Sequence, residues 1–396
     1  MAKLIAGKSC VIVASGLTAI AVPTCFKNKE GRLDIPEQIK STEINEAGDS
    51  STDTKLNIIA VDISVSEKYV VLCTSNKLVV LWEVFKDSPL STRISARVVS
   101  KVKFFPSERA VILADKSGDA YEFSVTSPHL EGKLLLGHLS MLLDVLVTPD
   151  EKFIITCDRD EKIRVSCYPN AYNIQSYCLG HREFVTGIFL LSHDETVLVS
   201  YSGDGCVKFW NYKTGDKIYS IESNVDLMTH INMNTSKEED NDFPIVLATC
   251  CSVDSFSSVI CCCFSGVQNC FVYHVTENLK NITHKLIQTI RLQFEPWDMM
   301  CFDRCFWILG PLENEFLSLF EWNTNISEFE KCTKENMSSI VQSVNKKNEL
   351  FKNADPTTFV TLLYKRRYDN VQEYQNRKKQ RLASSANVLK HADELD

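Results

Sequence analysis

The sequence predicts an all-β fold, a seven-bladed β-propeller carrying a basic C-terminal helix, and three observations lead to it. Strand-core anchors recur at Trp82, Phe123, Ser166 and Trp210, at intervals of 41, 43 and 44 residues. Two Gly-His pairs, in "LLGHLSMLLDV" and "CLGHREFVTGI", set His138 and His181 43 residues apart, at equal phase before consecutive repeats. Each period holds about four short runs of alternating apolar residues with turn residues between them, and no helical stretch interrupts them. One such unit cannot bury both of its faces, whereas a closed ring of units can, and the ring leaves few free sheet edges.

Composition is consistent with one large core. The chain has 396 residues, 44% hydrophobic and 24% charged, outside the disordered and fibrous classes. A formal charge of -8 excludes a protein that coats nucleic acid with its whole surface, while leaving room for a local basic patch. Sixteen cysteines are too sparse for a disulfide scaffold. Most lie in apolar runs such as "VICCCFSG", which reads as small buried hydrophobes of a reduced compartment. There is no CxxC pair and no His/Cys set at zinc spacing, so no metal is expected, and Cys301 and Cys305 read as buried structural residues.

Along the chain, "MAKLIAGKSCVIVASGLTAIAVP" has the early lysine and the Ala-Ile-Ala end of a secretory signal. Lys8, Ser9, Gly16 and Thr18 interrupt its apolar stretch, which reads better as two short strands and a turn. No run approaches the 18 apolar residues of a membrane helix, and no membrane partner is expected. Residues 27–57 are polar and mixed in charge, a surface loop or disordered insertion. After the four anchored units, "NMNTSKEEDND" reads as a solvated loop. One further unit spans "IVLATCC", "SVICCCF" and "CFVYHV", and another spans "WDMMCFD", "CFWILG" and "FLSLFEW". With a unit near 9–23 these make seven, and the propeller occupies 1–350.

Beyond it, Asp355-Pro356 forms a helix-start signal for an amphipathic helix over 355–382. Tyr364, Tyr368, Val371 and Tyr374 or Gln375 fall on one face. Lys365, Arg366, Arg367, Arg377, Lys378, Lys379 and Arg381 surround it against Asp369 and Glu373 alone. From 364 to 381 the balance is +5, so the rest of the chain carries -13. Residues 383–396 read as a flexible tail.

A Gly-His early and an aromatic late in a four-strand unit of 40 to 45 residues resemble the WD-repeat family. In the best-matching unit, 180–211, the resemblance assigns a buried hydrogen-bond chain of His181, Ser202, Asp204 and Trp210. A buried imidazole and indole N–H need partners, and a turn carboxylate and a hydroxyl supply them. These residues are therefore structural, and no catalytic residue is expected. The preceding unit has His138 and Asp160 but carries Asp158 in the serine position and Ser166 where the tryptophan belongs, which leaves its internal lock incomplete. The only "GDG", 203–205, lies in a blade turn, so the chain lacks the glycine-rich strand-to-helix turn of a cofactor-binding methyltransferase.

"LADKSGDAYEFSV", "LGHLSMLLDVLVTPDEKFIITCDRDEKIRVS", "CLGHREFVTGI", "SGDGCVKFW" and the tail motif "LLYKRRYDNV" together resemble the WD-repeat, non-catalytic subunit of the eukaryotic tRNA (guanine-N7-)-methyltransferase. The close match covers 111–212 and the tail motif. The resemblance implies a scaffold without a cofactor of its own. It would pair as a heterodimer with a separate, S-adenosylmethionine-dependent catalytic subunit and help it methylate N7 of a guanosine in the tRNA variable loop. It also implies a nuclear location, with the cytoplasm as a second compartment.

"DRDEKIRVS" takes its meaning from that frame. Asp160 stands six residues before its anchor, in the turn between a blade's second and third strands. Arg159, Glu161 and Lys162 project from that turn and Arg164 from the third strand. Alternation puts Arg164 opposite Ile163 and Val165, on an exposed rim. The resemblance implies that this turn docks the catalytic subunit, Arg164 pairing an acid there and Glu161 or Asp160 pairing bases. Mixed signs suit a protein better than an anionic RNA backbone. The plain alternative is a solvated turn whose ion pairs contribute ~0–1 kcal/mol. Lys116 holds the phase of Arg159 one blade earlier, on the same face, and joins the tail cations as a candidate RNA contact. "NRKKQR" also suits nuclear targeting. A rival assignment, substrate receptor of a ubiquitin ligase, expects a Trp-Asp-x-Arg repeat end, and here Trp297-Asp298 is followed by two methionines.

Overall fold

The computed structural model describes residues 2–24, 30–35, 56–231, 243–278, 281–352, 354, 359–365 and 378. They form seven four-stranded antiparallel sheets, each made of consecutive strands. Blade 1 is β1 (Lys3–Ala6), β2 (Cys10–Ser15), β3 (Thr18–Pro23) and β4 (Gly31–Asp34). Blade 2 is β5 (Ile58–Ile63), β6 (Tyr69–Thr74), β7 (Leu78–Glu83) and β8 (Pro89–Ile94). Blade 3 is β9 (Val99–Phe104), β10 (Ala110–Asp115), β11 (Asp119–Ser124) and β12 (Lys133–Gly137). Blade 4 is β13 (Leu142–Val147), β14 (Phe153–Asp158), β15 (Ile163–Cys167) and β16 (Ile174–Cys178). Blade 5 is β17 (Val185–Leu191), β18 (Asp194–Ser202), β19 (Cys206–Asn211) and β20 (Asp216–Glu222). Blade 6 is β21 (Ile245–Ser252), β22 (Ser257–Phe264), β23 (Asn269–Asn278) and β24 (Asn281–Arg291). Blade 7 is β25 (Asp298–Phe302), β26 (Cys305–Leu309), β27 (Leu317–Asn323) and β28 (Glu328–Lys331).

Position in the blade explains each strand's residues. β5, IIAVDI, alternates buried and half-buried because one side faces the central channel. β2 and β10 are buried throughout, since neighbouring blades cover both their faces, and their sequences are correspondingly apolar up to the last residue, Ser15 and Asp115. β16 lies on the outside and is mostly exposed. The innermost strands β1, β5, β9, β13, β17, β21 and β25 touch in that order, and β25 returns to β1. Each neighbouring pair of blades shares one apolar cluster. Between blades 4 and 5 it includes Ile155, Cys157 and Val165 against Val185, Leu198 and Trp210. A fully buried side chain of this size contributes about 1.5–3 kcal/mol.

Polar links reinforce these seams. On the channel side, Asp62 Oδ2 accepts the Phe104 N–H at 2.7 Å, and Asp144 Oδ2 accepts that of Ile188 at 3.1 Å. Each carboxylate satisfies an amide on the first strand of the next blade. In the turns between first and second strands, Glu67, Glu108 and Glu151 adopt φ of 59°, 59° and 52°. From there Glu67 accepts the Ser9 N–H at 2.6 Å, Glu108 the Ser66 hydroxyl at 2.7 Å, and Glu151 the Ser107 N–H at 2.6 Å. Charge-assisted bonds to the preceding blade offset the left-handed backbone, which costs about 1–3 kcal/mol per residue. A central channel of about 600 Å³ remains, lined in part by Lys101, Lys103, Asp144 and Tyr201.

Several expectations need correction. The stretch 27–57 is not all loop: Gly31–Asp34 forms β4, and Leu33 and Ile35 are buried, the apolar pair that the polar average concealed. Helices do occur, at α1 (Ser223–Ile231) between blades 5 and 6, and at α2 (Glu335–Asn345) and α3 (Asn348–Phe351) after blade 7. The tail does not run as one helix from 355. A 3₁₀ turn spans Phe359–Leu362, residues 363–365 are non-helical, and most of the remaining predicted helix lies outside the described residues. Cys167, Cys250 and Cys332 are half-buried, and the other described cysteines are buried and unpaired.

Candidate protein-docking surface on blade 4

Antiparallel order puts every turn between second and third strands at the same end of the ring as the connectors between blades. The turn 159–162 and Lys116 therefore share that face, Lys116 in the β10–β11 turn with its N–H donated to Val98 O at 3.0 Å. Lys116 and Lys162 are exposed, while Arg159, Asp160 and Glu161 are half-buried.

The turn is held from below. Asp158 Oδ1 accepts the N–H groups of Asp160 and Lys162 at 2.9 and 3.0 Å, and its Oδ2 meets His138 Nδ1 at 2.9 Å. His138 Nε2 meets the Thr156 hydroxyl at 2.9 Å. His138, Thr156 and Asp158 therefore form the lock of this blade, with Asp158 as the carboxylate and Thr156 as the hydroxyl; Ser166, in the tryptophan's place, does not join it, and Asp160 stays outside it. Burial works to raise the Asp158 carboxyl, but the bonds from His138 and Lys162 outweigh it and leave the group below the usual carboxylate range. Lys162 Nζ reaches the Asp160 carbonyl at 3.2 Å, and Arg159 N–H binds Met141 O at 3.0 Å, tying the turn to the 138–141 connector.

The next blade shows the same design and a second correction. Trp210 Nε1 donates to Ser200 Oγ at 2.8 Å, Ser200 meets His181 Nε2 at 2.7 Å, and His181 Nδ1 meets Asp204 Oδ2 at 2.9 Å. Ser200, not Ser202, is the bridging hydroxyl. The β18–β19 register ends at Tyr201, which leaves Ser202, the last residue of β18, beyond that ladder and paired with Val185 of β17, and its hydroxyl donates to Glu183 O at 3.1 Å. Ser200 is diagonal to Trp210 across the ladder and within reach of it. Burial lowers the His181 imidazole, and Asp204 is held well below its ordinary value by the His181 bond against the pull of burial.

Arg164 is not on an exposed rim. It is 9% exposed, and its guanidinium donates to Gly137 O and Ala171 O, each at 3.1 Å. Alternation does set Arg164 opposite Ile163, but a third strand has a neighbouring blade on that side, here blade 3 with Gly137. Arg164 thereby ties the end of β12 and the 168–173 loop to blade 4. Apolar residues also reach solvent beside the turn. Leu139 in the connector is fully exposed, and Tyr177 and Leu179 at the end of β16 are exposed by 41% and 61%. For the two leucines the signal in the sequence is an apolar residue one step after Gly137-His138 and one step before Gly180-His181.

Of the tail cations, Lys365 and Lys378 are exposed and belong to a separate unit, 362–396, while Arg366, Arg367, Arg377, Lys379 and Arg381 lie outside the described residues. Among the described residues no set of His, Cys, Asp or Glu could hold a metal ion, and no helix is long and apolar enough to cross a membrane.

Residues 124–306 match a family profile described as the tRNA methyltransferase TRM82 WD40 domain. The Danio rerio tRNA (guanine-N(7)-)-methyltransferase non-catalytic subunit wdr4 is 35% identical across 85% of this chain and 80% of its own. The Xenopus laevis subunit of the same name is 34% identical across 87% and 85%. This chain belongs to that family of non-catalytic subunits. The Homo sapiens WDR4 subunit is 44% identical over 46% of this chain and 44% of its own. A chain from the crystal structure of a mitotic checkpoint complex superposes with a TM-score of 0.59 over 76% of this chain and 84% of its own, at 12% identity, which shows the shared propeller alone.

Proposed function

We propose that this subunit docks the catalytic subunit of a tRNA (guanine-N7-)-methyltransferase through the upper face of blade 4, as a heterodimer. The observation that carries the reading is the turn 159–162, braced by Asp158 and flanked by Leu139, Tyr177 and Leu179. Apolar anchors inside a mixed-charge rim are the composition of a specific protein interface: the anchors supply affinity, and the charges set register and encounter rate. A turn that is already rigid loses little entropy on docking, which favours the bound state. S-adenosylmethionine and the chemistry belong to the partner in this reading. The tail cations Lys365, Arg366, Arg367, Arg377, Lys378, Lys379 and Arg381, with Lys116, contact tRNA phosphates and so help present the variable-loop guanosine. The complex works in the nucleus.

Co-expression with the catalytic subunit tests both parts. Leu139→Asp with Leu179→Asp should abolish co-purification while the propeller keeps its unfolding midpoint, and a complex of normal yield would remove the docking assignment. Deleting 364–396 should leave the complex intact and weaken its tRNA binding, with the deficit shrinking as salt rises. Equal affinity at low salt would remove the tail from RNA contact.

A further inference from the structure

Six of the seven seams in the ring are crossed by the chain itself, as one blade runs into the next. The seam between blades 7 and 1 is not, and because each sheet is made of consecutive strands, no described strand is shared across it. On its channel side Asp298 Oδ2 accepts the Leu4 N–H at 3.0 Å, the kind of link that Asp62 and Asp144 make at other seams, and Met300 Sδ accepts the Ala6 N–H at 3.1 Å.

α2 and α3 lie across this seam. Ile340, Val344 and Phe351 are buried in one cluster with Leu317 and Leu319 of blade 7 and Val13 of blade 1. Phe351 stacks on Phe316 at 4.3 Å and on Trp297 at 5.9 Å. Asn345 Oδ1 accepts the Leu317 N–H at 2.8 Å while its Nδ2 donates to Leu317 O at 3.2 Å, so its side-chain amide pairs with the backbone at the start of β27. On the blade 1 side, Glu30 accepts Lys347 Nζ at 2.6 Å and the Ser343 hydroxyl. These bonds hold the Glu30 carboxyl below its ordinary value.

We infer that α2 and α3 form a clasp that closes the ring in place of a shared strand, and that the blade 7 to blade 1 seam is where the propeller opens. A ring of repeats is stabilised by its interfaces, and opening at this seam breaks one interface without stretching a covalent connector. The seam is also the point diametrically opposite blade 4, which stands three blades from each side of it. The clasp thus governs opening without touching the proposed docking face.

Hydrogen exchange on the full chain tests this, with Phe351→Ala on the apolar part and Lys347→Glu, a surface change that spares the core, on the Glu30 contact. Amides of β1 and β25–β27 should exchange on the order of tenfold faster or more in Phe351→Ala, and measurably faster in Lys347→Glu, with β13–β16 unchanged. A chain ending at residue 354 should exchange as the full chain does. Acceleration spread evenly around the ring, or β1 amides unchanged in both variants, would overturn the inference. Co-purification with the catalytic subunit should persist in Lys347→Glu, and because exchange is read on the subunit alone, failure of the docking proposal leaves this result standing.

Discussion

Replacing Arg164 with methionine separates two ways in which the residue could serve docking. The structure has its guanidinium satisfying Gly137 O and Ala171 O from a site 9% exposed. Methionine keeps the apolar stem and removes both donors, leaving the carbonyl of buried Ala171 without its guanidinium partner, whereas Gly137 is exposed and water can replace the donor there. The buried carbonyl costs about 1–3 kcal/mol, and relief of the guanidinium's own burial, which lowers its pKa here, offsets part of it. The expected loss is about 1–2 kcal/mol in urea unfolding, with a docking defect that follows from a loosened β12 end and 138–141 connector. Arg164→Lys should recover only part, since one ammonium cannot reproduce a two-armed planar donor. A methionine variant within about 0.5 kcal/mol of the parent that nevertheless fails to dock would refute this reasoning and return Arg164 to direct pairing with the partner.

Two further outcomes follow from the blade locks. Ser200→Ala leaves the Trp210 indole N–H and His181 Nε2 without their common partner and should cost about 2–4 kcal/mol in denaturant unfolding, whereas Ser202→Ala should cost about 1 kcal/mol; equal losses would contradict the register argument. Stability should fall on acidification. Burial lowers His181, so the unfolded chain takes up that proton first as pH drops below about 6.5, and the lowered carboxyls of Asp158 and Asp204 add to the loss below about pH 4. Urea midpoints of the parent and Asp204→Asn should accordingly lie far apart at pH 6 and begin to converge only below about pH 4, as the unfolded chain's aspartate takes up its proton; a gap independent of pH would show that the carboxylate's charge does not matter.

The architecture was open to reading because it is periodic. Anchors 41 to 44 residues apart, repeated Gly-His pairs and strands alternating with period two are properties of local sequence, and together they point to a ring of like units; the count of seven, for which the degenerate end repeats left six or eight open, is decided by the seven sheets of the structure. Family membership was legible in contiguous stretches, "GHLSMLLDV" followed by "DRDEKIRVS" above all. Side-chain destinations were less accessible. Period two says that Arg164 faces away from Ile163 but not that blade 3 covers that side. The choice of Thr156 and Asp158 in one blade, and of Ser200 in the next, depends on where each ladder's register ends. Leu139, Tyr177 and Leu179 became notable only once their neighbours' burial left them in solvent. The clasp was invisible as a function, since α2 meets its partners Leu317, Val13 and Glu30 only after the ring has brought the two ends of the chain together. Local sequence decides which strands form and which residues share a face; what covers that face, and which distant segment seals the circle, is decided by packing between parts of the chain that carry no mark of one another.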